Sequence, residues 1–264
     1  MPTTLAIFGA TGRVGRRLVA LASQDPALKV VAAVASPESA HLGTDAGELA
    51  GVNPINVPIR DRLEFGPRID CAIDFSTPDG TLTALKACVS RRIPLVVATT
   101  GHEALEKQEI EAAAHETAIL LSPNTSLVVN LLFKLSQLTG ESLAGRGFDV
   151  EIIERHHRHK KDSPSGTAMQ FARIIQQEMG QLNIQHGREG ILGERPLAEI
   201  GIHAVRAGDN VGEHTIIFAA PGETLELVHK GTSRDSYARG ALTAAQFLAG
   251  KGAGRYTMAD VLGL

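Results

Sequence analysis

Short apolar runs alternate with longer amphipathic stretches through the first half of the chain. The apolar runs predict strands at residues 5–8, 29–35, 71–76, 94–100 and 118–124. Helical periodicity separates them, following residue 9 up to about residue 23 and then at about 80–91 and 103–116. Continuously apolar strands that alternate with helices predict an α/β, Rossmann-type parallel sheet covered on both faces.

Residues 36–70 break this alternation. The stretch is rich in Pro, Gly, Asn and Asp, so we expect mostly loop, with one short helical turn near Asp45–Leu49.

The second half of the chain has a different order of elements. A helix at about 126–143 is followed by a predicted strand, a helix and three strands, at 149–157, 165–180, 201–208, 214–220 and 223–231. Ser165 is the expected N-cap of the second helix, Gly180 the expected residue just past its end, and Pro221-Gly222-Glu223 the expected hairpin turn. A final helix spans about 236–250.

This change of pattern predicts two domains. Residues 1–126, completed by the C-terminal segment 236–264, form the expected dinucleotide-binding domain. Residues 127–235 form an expected α+β domain with a mixed sheet.

Composition narrows the classes of function. The 264 residues carry a net charge of −3, and Trp is absent, so nucleic acid and anionic membranes are not expected partners. Cys71 and Cys88 are the only cysteines, which excludes a disulfide framework, and no apolar run reaches the roughly 20 residues of a membrane span. The N-terminal residues lack a secretory signal pattern, so we expect a cytoplasmic protein.

A glycine-rich loop, Gly9-Ala10-Thr11-Gly12-Arg13-Val14-Gly15, follows the first strand and opens a helix. In this context Gly9 permits a tight turn, Gly12 permits the approach of a pyrophosphate, and Gly15 permits close packing of helix on strand. The exposed N–H groups and the helix dipole then bind the diphosphate of a dinucleotide.

The end of the second strand bears on the choice of cofactor. An NAD site usually has Asp or Glu there to hold the ribose diol, but this strand ends in Ala35, Ser36 and Pro37. Without that carboxylate a 2′-phosphate is not repelled, and Ser36 and Arg13 offer a donor and a charge. This favours NADPH, and use of both NADH and NADPH stays open.

The segment Arg155–Thr167, RHHRHKKDSPSGT, concentrates the chemistry of the second half. All of its first seven side chains are His, Arg or Lys, and it leads into a helix N-terminus. Such a segment suits a small polyanionic substrate that must receive a proton. Lys160 is surrounded in the sequence by Arg158, His159 and Lys161. Like charges lower the pKa of a lysine, which makes it a better proton donor.

Several motifs together resemble dihydrodipicolinate reductase of bacterial lysine and diaminopimelate biosynthesis. They are GATGRVG, DFSTPDGTL (74–82), VVATTG (96–101), SPNTSLVVNL (122–131), ERHHRHKKDSPSGTA (154–168), RAGDNVGEH (206–214) and HKGTSR (229–234). The resemblance implies reduction of 4-hydroxy-tetrahydrodipicolinate to tetrahydrodipicolinate with NADH or NADPH. It also implies a homotetramer in which residues 127–235 bind the substrate and mediate oligomerisation.

The resemblance also implies roles for individual residues. His156 would be the proton donor or acceptor and Lys160 the proton donor, with His157, Ser165, Gly166 and Thr167 as substrate contacts. Cofactor contacts would come from Gly9, Ala10, Thr11, Gly12, Arg13, Val14, Ala98, Thr99, Thr100, Ser122, Pro123, Asn124 and Thr125. The chain departs from the family pattern at Ala98 and Val128, where Gly is common, and at Thr125, where Phe is frequent.

Other interpretations are compatible with parts of the sequence. His156 and His159 have metal-ligand spacing, but only Glu154 stands nearby as a third ligand, so no metal is expected. Asp209 and His214 either brace the substrate loop or belong to a structural hairpin, and Lys230 and Arg234 bind a carboxylate, a neighbouring subunit or solvent. A related two-domain oxidoreductase acting on another small acid, and a dinucleotide sensor without turnover, are the alternative functions.

Overall fold

The computed structural model describes residues 1–64, 66 and 68–264. Contacts between backbone segments divide the chain into two compact units. One unit comprises Met1–Leu127 with Arg234–Leu264, and the other comprises Val128–Ser233.

The first unit is built on a parallel sheet of seven strands, in the order β12-β6-β5-β4-β1-β2-β3. Its strands are β1 (Thr3–Phe8), β2 (Leu28–Val34), β3 (Ile59–Arg60), β4 (Cys71–Asp74), β5 (Leu95–Val97), β6 (Ala118–Leu121) and β12 (Gly254–Tyr256). Its helices are α1 (Arg13–Ser23), α2 (Ala46–Leu49), α3 (Pro78–Val89), α4 (Ala104–Ala113), α7 (Asp235–Leu248) and α8 (Met258–Leu262).

Two hydrophobic clusters hold this sheet between its helices. One buries Leu5, Ile7 and Ile73 against apolar residues of α1 and α7, and the other buries Ala6, Ala72 and Leu95 against α3 and α4. Because strand residues alternate between faces, both faces are apolar, which explains the continuous apolar runs in the sequence. The predicted Rossmann-type class is confirmed.

The second unit contains a mixed sheet of five strands, in the order β11-β10-β7-β9-β8. The strands are β7 (Asp149–His156), β8 (Asn183–His186), β9 (Glu199–Arg206), β10 (Gly212–Ala220) and β11 (Glu223–Gly231). Strand β10 is antiparallel to β7 and β11, whereas β9 is parallel to β7 and β8. Val150, Ile152 and Phe218 pack with residues of α6 (Gly166–Met179) in one core, as predicted for an α+β unit.

Local signals gave the ends of several elements correctly. The Ser165 hydroxyl accepts from the Ala168 N–H, and Gly180 ends α6 in the left-handed region at a φ of 71°. Ala220 pairs with Glu223 around Pro221 and Gly222, so the predicted hairpin is present.

Helix α5 spans Leu127–Leu143, and its first residue belongs to the first unit.

The sequence pattern missed four short elements. Strands β3, β8 and β12 each contain two to four residues and lie at sheet edges or in polar sequence, so they carry no readable period. Helix α8 has five residues, and a reciprocal cap between Thr257 and Asp260 stabilises it. These elements depend on pairing and capping, which local hydrophobicity does not report.

Candidate active site

The glycine-rich loop of the first unit has the backbone that a diphosphate site needs. Gly9 has a φ of 73°, and a Cβ there would lie 2.2 Å from the Phe75 carbonyl oxygen. A Cβ on Gly15 would lie 2.1 Å from the Gly9 carbonyl oxygen, so α1 can pack on the loop only without a side chain. Gly12 is the N-cap of α1 and offers no capping side chain. The N-terminal N–H groups of α1 are therefore left for a ligand.

A cleft of about 480 Å³ opens beside this loop. Four of the predicted cofactor residues line it, namely Gly9, Thr11, Gly12 and Ser36. The cleft is also lined by polar residues that no sequence motif identifies as cofactor contacts, namely Asp61, Ser76, Thr77, Asp79 and Thr83. Its position at the carboxyl ends of β1 and β2 is the place where doubly wound sheets bind ligands, so the cleft fits a dinucleotide.

Asp61 is the most informative of the missed residues. It directly follows β3, which pairs in parallel with the end of β2, and this pairing brings Asp61 to the cleft that Ser36 also lines. From the sequence, an acid for the ribose was expected only at the end of β2, where none stands, because β3 itself was not recognisable. An acidic residue therefore lines the cleft even though β2 ends without one.

The other predicted cofactor residues lie on the same unit but outside the lining of this cleft. Ala10 and Val14 contribute to the core, whereas Arg13 is exposed at the first residue of α1. The Ala98–Thr100 and Ser122–Thr125 segments follow β5 and β6, at the same carboxyl edge of the sheet. The Thr125 hydroxyl donates to the Tyr237 carbonyl at 2.8 Å, so this side chain is engaged in the fold.

A buried carboxylate organises the loop after β4. Asp74 is fully buried and accepts from the hydroxyl groups of Thr81 at 2.6 Å and Thr99 at 2.7 Å, as well as from that of Ser76. The Ser76 backbone N–H also donates to the Thr99 hydroxyl. These contacts set the course of residues 74–77, which form one wall of the cleft.

In the second unit, the basic segment begins on a strand. Glu154 and His156 are two residues apart on β7, so both face the core, and both are buried. The His156 Nδ1–H donates to Glu154 Oε2 at 2.6 Å, and the Ser165 backbone N–H donates to Glu154 Oε1 at 2.9 Å. Arg206, on β9, donates from two guanidinium nitrogens to the same carboxylate. Each nitrogen contacts one of the two oxygens, at 2.7 Å.

These contacts determine the charge of Glu154. Burial by itself raises the pKa of this carboxyl group, but the hydrogen bonds from His156 and Arg206 outweigh it and lower the pKa to about 2. Glu154 is thus an anion at neutral pH and acts only as an acceptor.

Lys160 lies in the loop after β7, and its surroundings differ from the prediction. Its ammonium group is 2.9 Å from Asp162 Oδ1, so an opposite charge stands closer than the cationic run implied. The loop is held by backbone bonds from His157 to Asn210 at 2.8 Å and from Arg158 to Gly208 at 3.1 Å. The segment between β9 and β10 therefore braces the loop that carries His157 and Lys160.

His214 also contacts the predicted substrate residues. On β10 it lies opposite Glu154 of β7, and its Nε2 accepts from the Ser165 hydroxyl at 3.1 Å. Burial, together with the neighbouring His156 and His229, lowers the pKa of His214 to about 3. A neutral His214 can accept this hydrogen bond, so His214 orients the residue that caps α6.

The remaining predicted positions are distributed around this cluster. Gly166 is the first residue of α6 and is exposed, and no atom lies within 4 Å of a Cβ built on it. Lys230 is exposed, and Arg234 is the N-cap residue of α7 in the first unit. In the part of the chain that the structure describes, no group of three His, Cys, Asp or Glu side chains is placed to hold a metal ion.

A glycine-rich strand–turn–helix with a polar cleft on a parallel sheet, and an acid–base cluster beside a helix N-terminus, define a nicotinamide-dependent oxidoreductase. Family models place the chain more narrowly. Residues 3–125 match the N-terminal model of dihydrodipicolinate reductase and residues 128–262 match its C-terminal model. The chain belongs to the dihydrodipicolinate reductase family, which confirms the resemblance inferred from the motifs.

Relatives with similar sequences cover the whole chain. A 4-hydroxy-tetrahydrodipicolinate reductase of Methylococcus capsulatus is 45% identical over 98% of this chain and 97% of its own length. A protein of the same name from Alkalilimnicola ehrlichii is 43% identical over 100% of both chains. The solved structure of a dipicolinate-bound dihydrodipicolinate reductase from Paenisporosarcina sp. TG-14 shares the fold, with a TM-score of 0.78, 24% identity and coverage of 97% and 98%.

Proposed function

We propose that this protein reduces 4-hydroxy-tetrahydrodipicolinate to tetrahydrodipicolinate with NADPH or NADH, in the diaminopimelate route of lysine biosynthesis. In this reaction the substrate loses its hydroxyl group as water, and its ring gains a hydride and a proton. The observation that carries the proposal is the similarity to two reductases of this name, at 43% and 45% identity over essentially the full chain. The chemistry of the second unit supports it independently.

The cofactor supplies the hydride when it is bound. We assign its diphosphate to the N–H groups at Gly9–Val14 and its adenosine half to the cleft beside Ser36. The Ala98–Thr100 and Ser122–Thr125 segments are assigned to the nicotinamide half, because they follow neighbouring strands at the same edge of the sheet. Ser36 favours NADPH and Asp61 favours NADH, so both cofactors are expected to be used.

We assign the binding of the substrate and the transfer of the proton to the second unit. A dicarboxylate needs fixed donors, so we assign its carboxylates to Gly166 and Thr167 at the N-terminus of α6 and to the cationic segment around His157. Ser165 shapes this N-terminus through its cap. Hydride addition to the ring leaves an anion that must be protonated, and His156 and Lys160 are the assigned proton carriers.

Assembly as a homotetramer in the cytoplasm completes the proposal. The face of the second sheet opposite α6 carries Ile153, Val205, Ile217 and Val228, of which Val205 is 41% exposed and Val228 45% exposed. Apolar residues on an exposed sheet face are typical of contacts between subunits. Light scattering on the purified protein tests the assembly, and a mass of one chain would contradict the homotetramer.

Among the described residues, no helix has the length and apolar character of a bilayer span.

The decisive assay uses the condensation product of pyruvate and aspartate semialdehyde. The protein is mixed with this product and NADPH or NADH, and the loss of nicotinamide absorbance is followed. We expect oxidation of the cofactor that depends on the condensation product. Cofactor binding without oxidation would instead indicate a dinucleotide sensor, and oxidation with other small acids alone would indicate a related oxidoreductase.

A further inference from the structure

Glu154 has more partners than any role assigned so far explains. Its side chain is fully buried, and both of its oxygens are occupied. Oε2 accepts from His156 Nδ1 at 2.6 Å, Oε1 accepts from the Ser165 N–H at 2.9 Å, and Arg206 contacts each oxygen at 2.7 Å. One carboxylate thus contacts an assigned proton carrier and the cap of the assigned substrate helix.

We propose that Glu154 is a positioning residue that holds His156 in a single tautomer and orientation, so that Nε2 of His156 exchanges the proton with the substrate. Arg206 is a second positioning residue, because it holds Glu154 in place. The inference rests on the proposed reductase activity, and it adds two residues to a site that otherwise consists of the basic segment.

The tautomer follows from the chemistry of the contact. An ionised carboxylate has no proton to give, so the hydrogen between Glu154 and His156 belongs to the imidazole Nδ1. The His156 ring uses Nδ1 for its contact with Glu154, and no hydrogen bond among the described residues engages Nε2, which leaves this atom for the substrate. A neutral His156 therefore accepts a proton at Nε2, and a protonated His156 donates one from Nε2.

The proton step balances without involving Glu154 as a proton carrier. The Nε2–H bond of protonated His156 breaks, and the proton forms a bond to the substrate anion that hydride addition produced. His156 is left neutral with its hydrogen on Nδ1, still donated to Glu154. The carboxylate stays ionised throughout and holds the imidazole ring in the same orientation before and after the transfer.

Arg206 connects this arrangement to the loop that carries Lys160. Besides Glu154, its guanidinium donates to the Asp162 carbonyl oxygen at 2.8 Å, and the Asp162 carboxylate pairs with Lys160. Arg206 also prevents Glu154 from being an uncompensated charge in the core. Strands β7 and β9 and the loop between β7 and α6 are thus held by one ion pair, with both assigned proton carriers attached to it.

A strictly structural ion pair is the competing explanation, and a double-mutant cycle separates the two. Glu154→Gln keeps the size and an acceptor oxygen but removes the charge, and we expect it to lower kcat about 10- to 100-fold. In a His156→Asn background the same change should lower kcat less than about threefold, because its effect passes through His156. Equal losses in both backgrounds would overturn the inference.

Glu151 supplies a matched control on the same strand. It lies on the opposite face of β7 and accepts from Arg188 at 2.6 Å, Arg195 at 3.0 Å and His203 at 2.8 Å. Hydrogen bonds from these groups outweigh the effect of burial and lower its pKa to about 2, as for Glu154. Glu151→Gln breaks an equally dense network away from His156, so its kcat should stay within about threefold of the wild-type value in protein whose mass by light scattering matches that of the wild type. A loss as large as that of Glu154→Gln would indicate a structural effect and contradict the proposal.

A measurement on the unaltered protein decides the tautomer even if Glu154→Gln does not fold. In ¹⁵N-histidine NMR of the wild-type chain, we expect the His156 hydrogen on Nδ1 and a strongly downfield resonance typical of a carboxylate partner. A hydrogen on Nε2 of neutral His156 would refute the inference. Absence of wild-type turnover would refute the proposed function alone, since the NMR result does not depend on activity.

Discussion

At the scale of single residues, chemistry in this protein depends on a few buried polar contacts. Glu154 and Asp74 are both fully buried carboxylates, and each binds a loop that carries assigned site residues. Buried carboxylates are costly unless every oxygen is satisfied, so such groups hold their neighbours in one arrangement. Exposed residues of the first unit, such as Ser36 and Arg13, hold no such arrangement and are expected to change the affinity for the cofactor instead.

Lys160→Ala tests the assignment of Lys160 as a proton carrier. The ammonium group is assigned to proton transfer, which typically contributes about 100- to 10,000-fold to a rate, so kcat should fall within that range. The Kd for NADPH, measured by fluorescence titration, should change less than about threefold. The control is Lys161→Ala, which removes an exposed neighbouring charge and should leave kcat close to the wild-type value. An equal loss of cofactor affinity would show that the role of Lys160 is wrongly assigned.

Ser36→Asp tests the assignment of the adenosine half of the cofactor. A carboxylate at the end of β2 accepts from the ribose diol and repels a 2′-phosphate, so preference should move towards NADH. A hydrogen bond to a charged group is worth about 1.5–3 kcal/mol, which corresponds to a change of about tenfold or more in the ratio of the two Kd values. Ser90→Asp adds the same charge at the end of α3 and should leave the ratio unchanged. An unaltered ratio in Ser36→Asp would place the adenosine elsewhere.

At the scale of elements, the packing of α1 on the glycine-rich loop couples stability to cofactor binding. Helix α1 begins directly after the Gly12 cap, and Gly15 lies one turn later against the Gly9 carbonyl. A side chain at this contact has to push the helix off the loop. The same displacement would move the N–H groups that are assigned to the diphosphate.

Gly15→Ala tests this coupling. A Cβ would stand 2.1 Å from the Gly9 oxygen and 2.9 Å from Ala10 Cα, so we expect a loss of about 1–3 kcal/mol in the free energy of unfolding. Affinity for NADPH should fall as well. Gly252→Ala, where nothing lies within 4 Å of the added carbon, is the control and should preserve both quantities. Unchanged stability and affinity in Gly15→Ala would show that the loop does not need this close contact.

At the scale of the whole molecule, acid is expected to weaken the fold through the second unit. His214 is buried, and burial with neighbouring His156 and His229 lowers its pKa to about 3. The unfolded chain binds a proton at this residue near pH 6.5, but the folded chain does not, so stability falls as the pH drops below about 6.5. Burial also lowers the pKa of His229, which acts in the same direction.

His214→Gln should reduce this dependence on pH. Between pH 7 and pH 5, His214 accounts for a loss of about 2 kcal/mol in the free energy of unfolding, which the variant should not show. Denaturant unfolding at both pH values measures the difference, and His41→Gln, at an exposed site, is the control. The same slope in wild type and His214→Gln would mean that His214 is protonated equally in the folded and unfolded chain.

Local patterns were sufficient for the parts of the molecule that are encoded over a few residues. Continuous apolar strands, the glycine-rich loop, the Ser165 cap and the turn at Pro221 and Gly222 could all be predicted, because each depends on neighbouring residues alone. The basic segment predicted the kind of chemistry for the same reason. Short edge strands such as β3 carry too few residues for any period to show.

Only the tertiary structure decided which distant residues meet. Arg206 and His214 reach the neighbourhood of Glu154 because β9 and β10 flank β7 in a particular register, and Asp61 reaches the cleft because β3 pairs with β2. Strand pairing depends on the packing of the whole core, so no local pattern contains it. The sequence therefore determined the elements and the reactive groups of this protein, and the fold determined their partners and their charge.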